Sequence, residues 1–472
     1  MENEFDVNNG AVVSIEEKNL PDPEILCDMI SRKAHSEFRA TVENLPPLDI
    51  AKLMEAVSKD RRAAFYRLLP KDLAAEVFAE LDFDLAEELV SVFGDNELRQ
   101  VLAELYIDDT VDMIEEMPAV IVKRILNNSS QENRNVINEL LRYPKDSAGT
   151  IMTTEYVHLK PTMTVMEALK HIRDVAIDKE TVYNCYVTDD KRRLIGVISA
   201  KRLLISSLET LLSDIMEESV IFAKTTDDRE SVAGKIEKYG LIALPVVDNE
   251  KRLVGIVTVD DAMDVLREEA EEDFAKMAAI IPGEKEYLKT SAFSIFKARI
   301  PWLLILMISA TFSSAILGFF EASLIPVLVL FVPMLMDTGG NSGSQASVTA
   351  IRGLSTGEIR PRDVLKILSK EFTVGAMLGI TLGAVAFAKV MIMDGFLFSN
   401  SAVNLTVALA VSISLALTVI AAKIIGSTLP FLAKRIGVDP AVMASPFITT
   451  LVDAVGLIMY FAVSAYAFGL TV

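Results

Sequence analysis

Two sets of carboxylates stand where their surroundings call for a cation. Asp453 lies in Ile448-Thr-Thr-Leu-Val-Asp453-Ala-Val-Gly456, within the stretch Ala441–Val472 that holds no other charge. An ionisable side chain at the centre of an apolar span costs ~2.5–3.5 kcal/mol on insertion scales, so such a residue is a functional candidate. No Lys or Arg shares the stretch, so a carboxylate there needs water or a cation. A protonated Asp bonded to a neighbouring helix is the structural alternative. The second set is Asp260, Asp261, Asp264, Glu268, Glu269, Glu271, Glu272 and Asp273, with only Arg267 among them. Positions 261, 264, 268 and 272 fall on one helical face. The set reads either as a solvated face or as a site for a hard divalent cation. Mg2+ takes oxygen ligands and keeps several waters.

Asp439-Pro440 opens the last apolar stretch, where Asp439 caps a helix or faces the ion path. Pro333-Met-Leu-Met-Asp337-Thr-Gly339-Gly340-Asn341-Ser-Gly343-Ser-Gln345 offers two readings. Small residues four apart permit close helix packing. Exposed carbonyls and the amide oxygens of Asn341 and Gln345 also suit a water-filled path for a hydrated ion, with Gly339 and Gly340 lining it. Glu321 and Asp337 are weaker candidates.

The elements that position these groups follow from charge and hydropathy. Of 66 acidic and 46 basic residues, 8 and 11 lie from Ser291 onward, a net of +3. The preceding part holds 58 acids and 35 bases, a net of −23. An acidic front joined to an apolar back excludes a wholly soluble enzyme, a disordered chain and a disulfide scaffold. The acidic front also repels nucleic acid. Two cysteines and three scattered histidines make no zinc or disulfide framework. No nucleophile–base pairing and no Walker-type loop is visible, which speaks against an enzyme or an ATP-driven pump.

Apolar runs of span length predict five transmembrane helices, at about 299–321, 323–351, 368–393, 402–428 and 440–470. Lys285, Lys289, Lys297 and Arg299 precede the first. Arg352, Arg360, Arg362, Lys366 and Lys370 lie between the second and third, and Lys423, Lys434 and Arg435 between the fourth and fifth. The other loops carry only Glu321 and Asp394. The positive-inside rule places the N-terminus in the cytoplasm and the C-terminus outside. The acidic opening, Met1-Glu-Asn-Glu-Phe-Asp, reads as no secretory signal.

Residues 45–128 repeat every twelve positions, in units beginning at Leu45, Val57, Leu69, Leu81, Phe93, Leu105 and Met117. The ninth and tenth positions are apolar throughout, from Leu53-Met54 to Ile125-Leu126. Each unit predicts one short helix, with Asp60, Asp72, Asp84, Asn96 and Asp108 as caps. Stacked units make an α-solenoid. Residues 150–272 carry a second repeat, in which Arg193-Leu-Ile-Gly196-Val-Ile-Ser199 recurs as Arg252-Leu-Val-Gly255-Ile-Val-Thr258. This repeat resembles a tandem pair of CBS domains. The resemblance implies adenine-nucleotide binding through Thr-x-x-Asp. Thr258-Val-Asp-Asp261 keeps that motif, whereas Ser199-Ala-Lys-Arg202 lacks its acid.

The whole chain resembles the MgtE family of magnesium channels. The resemblance is carried by Arg299-Ile-Pro-Trp302, Gly318-Phe-Phe-Glu321, Gly339-Gly-Asn-Ser-Gly-Ser-Gln345, Arg352-Gly-Leu354 and Asp439-Pro-Ala, followed by Pro446 and Thr450-Leu-Val-Asp453-Ala-Val-Gly456. It implies a mixed architecture: a helical N domain over 23–146 after a tail at 1–22, then CBS domains at 147–213 and 214–260. An acidic linking helix at 261–290 and a membrane domain of five spans at 291–472 follow. It implies a homodimer in the inner membrane, with a pore between the two copies and Asp453 selecting hydrated Mg2+. It further implies that cytosolic Mg2+ closes the pore, through Asp261, Asp264, Glu268, Glu269, Glu272 and Asp273 and through Asp108 and Asp112, with ATP as a modulator. A secondary transporter coupling Mg2+ or Co2+ to another ion is the alternative.

Overall fold

Each twelve-residue unit folds as one short helix whose ninth and tenth residues turn inward. The computed structural model describes residues 20–176, 179–283, 287, 290–321, 326–398, 401–443 and 445–469. The tail at 1–19, Lys285 and Lys289 lie outside the described residues, as does the side chain of Glu321.

Two leading helices, α1 (Pro23–Ser31) and α2 (His35–Val42), precede the repeat. The repeat comprises α3 (Pro47–Ala56), α4 (Lys59–Leu68), α5 (Lys71–Ala79), α6 (Phe83–Val92), α7 (Asp95–Glu104), α8 (Ile107–Glu116) and α9 (Ala119–Asn128). An eighth helix, α10 (Gln131–Leu140), extends it. Met54, Phe65, Val77, Val90 and Ile125 are fully buried. α3 packs on α5, α5 on α7 and α7 on α9, α4 packs on α6, and α6 packs on α9. The capping expectation needs correction. The helices begin two residues into each unit, so Asp60, Asp84 and Asp108 sit inside the first turn. Ser58, Asp82 and Tyr106 hold the cap position and make no side-chain cap bond. First-turn carboxylates instead favour the positive end of the helix dipole.

The second repeat forms two three-stranded sheets. The first holds β1 (Tyr156–Leu159), β2 (Thr181–Thr188) and β3 (Leu194–Ser199), with α11 (Val165–Val175) between β1 and β2. Two short helices follow, α12 (Ala200–Ile205) and α13 (Leu212–Ile215). The second sheet holds β4 (Ala223–Lys224), β5 (Ala243–Val247) and β6 (Leu253–Thr258), with α14 (Arg229–Tyr239) between β4 and β5. In each sheet the first pair is parallel and the second antiparallel. The copies exchange their opening methionines. A Cβ on Gly196 would meet Met216 Sδ at 2.7 Å, and one on Gly255 would meet Met152 Sδ at 2.7 Å.

One helix, α15 (Val259–Met277), then runs for 19 residues. It ends short of the expected 290. By packing, the chain divides into two units at Leu266/Arg267, within this helix.

The second unit contains α16 (Ala292–Glu321), α17 (Pro326–Val329), α18 (Val332–Ser355), α19 (Val364–Lys389), α20 (Leu405–Arg435) and α21 (Ser445–Phe468). A π-helical stretch, Val390–Leu397, extends α19. Among the described residues four stretches are long and apolar enough to cross a membrane: Ala292–Phe320, Pro361–Leu397, Leu405–Arg435 and Pro440–Phe468. The expected second span does not join them. It is broken into α17 and α18, and the glycine, amide and hydroxyl side chains of α18 lower its hydropathy. The core of this unit gathers Val332 and Leu335 of α18 with Val411, Leu415 and Val419 of α20 and Leu457 and Tyr460 of α21.

Candidate cation sites

The glycine run settles into packing. A Cβ on Gly339 would meet Thr418 of α20 at 2.8 Å and Val452 of α21 at 3.1 Å. A Cβ on Gly426 would stand 2.1 Å from the Gly343 carbonyl oxygen. Backbone on backbone at that range admits only glycine. Gly339, Gly340 and Gly343 are buried, as close helix packing expects.

The polar residues of α18 take the opposite face. Asp337, Asn341 and Gln345 are exposed, four apart, and so form one stripe along the helix. Asn341 Nδ2 donates to Asp337 Oδ1 at 3.2 Å. Asp337 is the charged neighbour of Asp453 on α21, whose Oδ1 is buried with no hydrogen-bond partner. An orphaned carboxylate oxygen beside a second acid is an arrangement that a cation or ordered water completes.

Asp439 stands elsewhere. Its Oδ1 accepts from Ala441 N at 2.8 Å and its Oδ2 from Lys276 Nζ at 2.6 Å. Lys276 also reaches Glu272 at 2.6 Å, and Ser355 Oγ donates to Asp273 at 3.1 Å. Met277 packs on Ile351 and Ala441. The end of α15 is thus pinned to the end of α18 through Asp273 and to the turn before α21 through Lys276 and Asp439. The sequence reading passed over Lys276, which lies just beyond the acid run.

In the first unit the helix start of α8 brings Asp108 and Asp109 toward Asp260 and Asp261, with Glu155 and Glu180 beside them. Glu180 N donates to Glu155 O at 2.9 Å where β1 and β2 begin side by side. Burial first, then Asp109, Asp261, Glu180 and Glu155, pushes Asp108 well above the usual carboxylate range. Burial and then Asp261, Glu80 and Asp260 raise Asp109 to about 6. Burial and then Asp261, Asp109, Asp260 and Glu155 raise Glu180 to about 8. Asp108 Oδ1 and Glu180 Oε2 are buried without hydrogen-bond partners. Such a cluster is a candidate cation site, because a cation would offset the mutual repulsion. Among the described residues no three acidic, histidine or cysteine side chains converge closely enough to chelate an ion directly.

Of the expected sensor acids, Asp108 and Asp261 lie in this cluster. Asp112 is one turn further along α8 and exposed, as are Asp264 and Glu268, while Glu269 is half-buried. Asp109, Glu155 and Glu180 were missed. Asp109 is the neighbour of an acid already singled out, but Glu155 and Glu180 meet only through the β1–β2 pairing. Thr258 Oγ1 donates to Asp261 Oδ2 at 2.5 Å, so the nucleotide-motif pair is bonded to itself.

Three family descriptions match the chain. Residues 332–463 match MgtE, a divalent cation transporter, residues 45–146 the MgtE intracellular N domain, and residues 148–209 and 212–268 the CBS domain. The magnesium transporter MgtE of Thermus thermophilus is 38% identical over 90% of this chain and 94% of its own length. That of Bacillus subtilis is 31% identical over 91% and 93%. A crystal structure of the soluble part of a magnesium transporter matches 53% of this chain and 98% of that one, at 32% identity and TM-score 0.50. The cytosolic domain of the Mg2+ channel MgtE in complex with ATP matches 52% and 99%, at 36% identity and TM-score 0.49. With relatives aligned across nine-tenths of both chains, this protein belongs to the MgtE family of divalent cation transporters.

Proposed function

We propose that the protein is a homodimeric, Mg2+-selective channel for Mg2+ uptake across the cell membrane. The observation that carries the reading is the exposed stripe Asp337, Asn341 and Gln345 beside the orphaned oxygen of Asp453. Lipid gives such a stripe no hydrogen-bond partners. A water-filled seam between two copies does, and it supplies paired acids from one Asp453 per chain. α18 is then the fifth span, shielded from lipid by its partner. Lys and Arg near the span ends put the N-terminus and both soluble domains in the cytoplasm and the C-terminus outside. The domain limits proposed are a helical N domain over 23–146, CBS domains at 147–213 and 214–260, and a membrane domain at 291–472, with α15 as the linking helix.

The acid cluster around Asp108, Asp109, Asp261 and Glu180 supplies regulation. Unneutralised, these groups repel one another. Neutralised by cytosolic Mg2+, they draw together. Asp260 and Asp261 open α15 and Lys276 nears its end. The helix can therefore transmit cluster spacing to the pinned ends of α18 and α21. Feedback needs only that the closed state bind more Mg2+ than the open one. An adenine nucleotide at Thr258 has to displace the Asp261 bond, and it brings phosphates toward carboxylates, so ATP acts here together with a cation.

Ion flux into proteoliposomes, with internal and external Mg2+ varied separately, tests the reading. A voltage-driven Mg2+ flux that needs no second ion gradient and shuts as internal Mg2+ rises supports it. A flux that requires a Na+ or H+ gradient supports coupled transport instead.

A further inference from the structure

Lys423 is sealed inside the helical bundle of the second unit. It lies near the middle of α20, not in the loop between the fourth and fifth spans where the sequence pattern counts its charge, and is 5% exposed. Its stem runs in a groove left by Gly375 of α19, where a Cβ would touch Lys423 Cβ at 3.4 Å and Cγ at 3.5 Å. Its Nζ stands 3.4 Å from Gln345 Oε1. Glu371, one turn before Gly375, is its counter-charge and has a buried, unpartnered Oε2. A buried intramembrane lysine is costly and marks function by default.

An ammonium has three donors and no acceptor, so the Gln345 atom facing it is the oxygen whichever way the amide is assigned. Gln345 belongs to the exposed stripe of α18. With its oxygen bound inward, it is left to present two N–H donors to the stripe. An oxygen already holding one cation is a poor partner for another. Gln345 follows Asp337 by eight residues, about 12 Å toward the Arg352 end of the helix.

We propose that Lys423 is a positioning residue for ion permeation: it holds Gln345 with its amide N–H groups toward the pathway and backs them with positive charge. This inference rests on the stripe being the conduit. Attraction at Asp337 and Asp453 is thereby followed by a level that opposes cations and limits their exit. A doubly charged ion feels that level twice as strongly as a singly charged one.

The test is flux in proteoliposomes containing the full chain. Replacing Lys423→Gln should raise Mg2+ flux about threefold or more, and raise it more than K+ flux, because the opposing energy scales with ion charge. Lys423→Arg should stay near the unmodified protein. In a Gln345→Leu background, Lys423→Gln should add little, since the group it positions is gone. Unchanged flux and unchanged Mg2+ to K+ ratio in Lys423→Gln overturn the proposal. So does lowered flux with an unchanged ratio and lowered thermal stability, the pattern of a purely structural ion pair. Fully additive effects in the double variant overturn it too. Should Lys423→Gln not fold, the neutral pair Lys423→Gln with Glu371→Gln carries the same comparison. Absence of Mg2+ flux in the unmodified protein defeats the channel reading itself, whereas normal flux there with an indifferent Lys423→Gln defeats only this assignment.

Discussion

Lys276 Nζ lies 2.6 Å from Asp439 Oδ2, tying the last turn of α15 to the turn that opens α21. The same ammonium holds Glu272 at 2.6 Å, and the two acids raise it above the ordinary lysine range despite its burial. The linking helix thus carries its own cation where two carboxylates face. Replacing Lys276→Met should loosen this attachment by on the order of 1 kcal/mol, since all three side chains retain some exposure. Taking the attached helix as the closed state, that is about a fivefold shift toward the open one. The check is residual flux at saturating internal Mg2+, which should rise by about that factor.

Neutralising the cluster by Asp109→Asn with Glu180→Gln removes both the repulsion and the site. The double variant should be more stable than the unmodified protein in chelator and should gain less from added Mg2+. Its flux should also respond less to internal Mg2+ than that of the unmodified protein. Thermal unfolding with and without Mg2+, paired with flux, reads all three.

The raised acids set a pH dependence. Asp109 at about 6 and Glu180 at about 8 lie above their unfolded values of about 3.9 and 4.3. The folded, Mg2+-free cluster therefore binds protons that the unfolded chain releases. Its stability contribution is full below about pH 4 and is lost as pH rises through about 6 and then about 8. The melting temperature in chelator should fall between pH 5 and 9, and Mg2+ should bind more tightly with release of protons as pH rises. A melting temperature in chelator that is flat over this range contradicts the cluster.

Gly426 faces the Gly343 carbonyl so closely that a methyl group has no place. Gly426→Ala should force α18 and α20 apart and cost about 1–3 kcal/mol or more. Gly234, with nothing near its Cβ position, should accept alanine and serves as the control. Thermal unfolding in detergent distinguishes them.

The twelve-residue period and the alternation in the CBS repeat were legible because burial enforces both: Phe65 and Val77, at ninth positions, are fully buried. The helix starts were not, because an acid in the first turn is favoured as a cap is, and Asp108 belongs to the first turn. Asp453 stands out in the sequence because an acid in an apolar run has few explanations. Asp109 and Glu180 do not, since 71 residues separate them and only the fold brings them near each other. Lys276, 163 residues before Asp439, holds both Glu272 and Asp439, a pairing that no local pattern reveals.

Everything turns on Asp453 as the carboxylate that receives the ion. The direct measurement is Mg2+ flux through Asp453→Asn in proteoliposomes, beside the unmodified protein and with folding checked by thermal unfolding. The account predicts a folded protein whose Mg2+ flux falls at least tenfold or whose preference for Mg2+ over K+ is lost. A folded Asp453→Asn protein with unaltered flux and unaltered preference would contradict it.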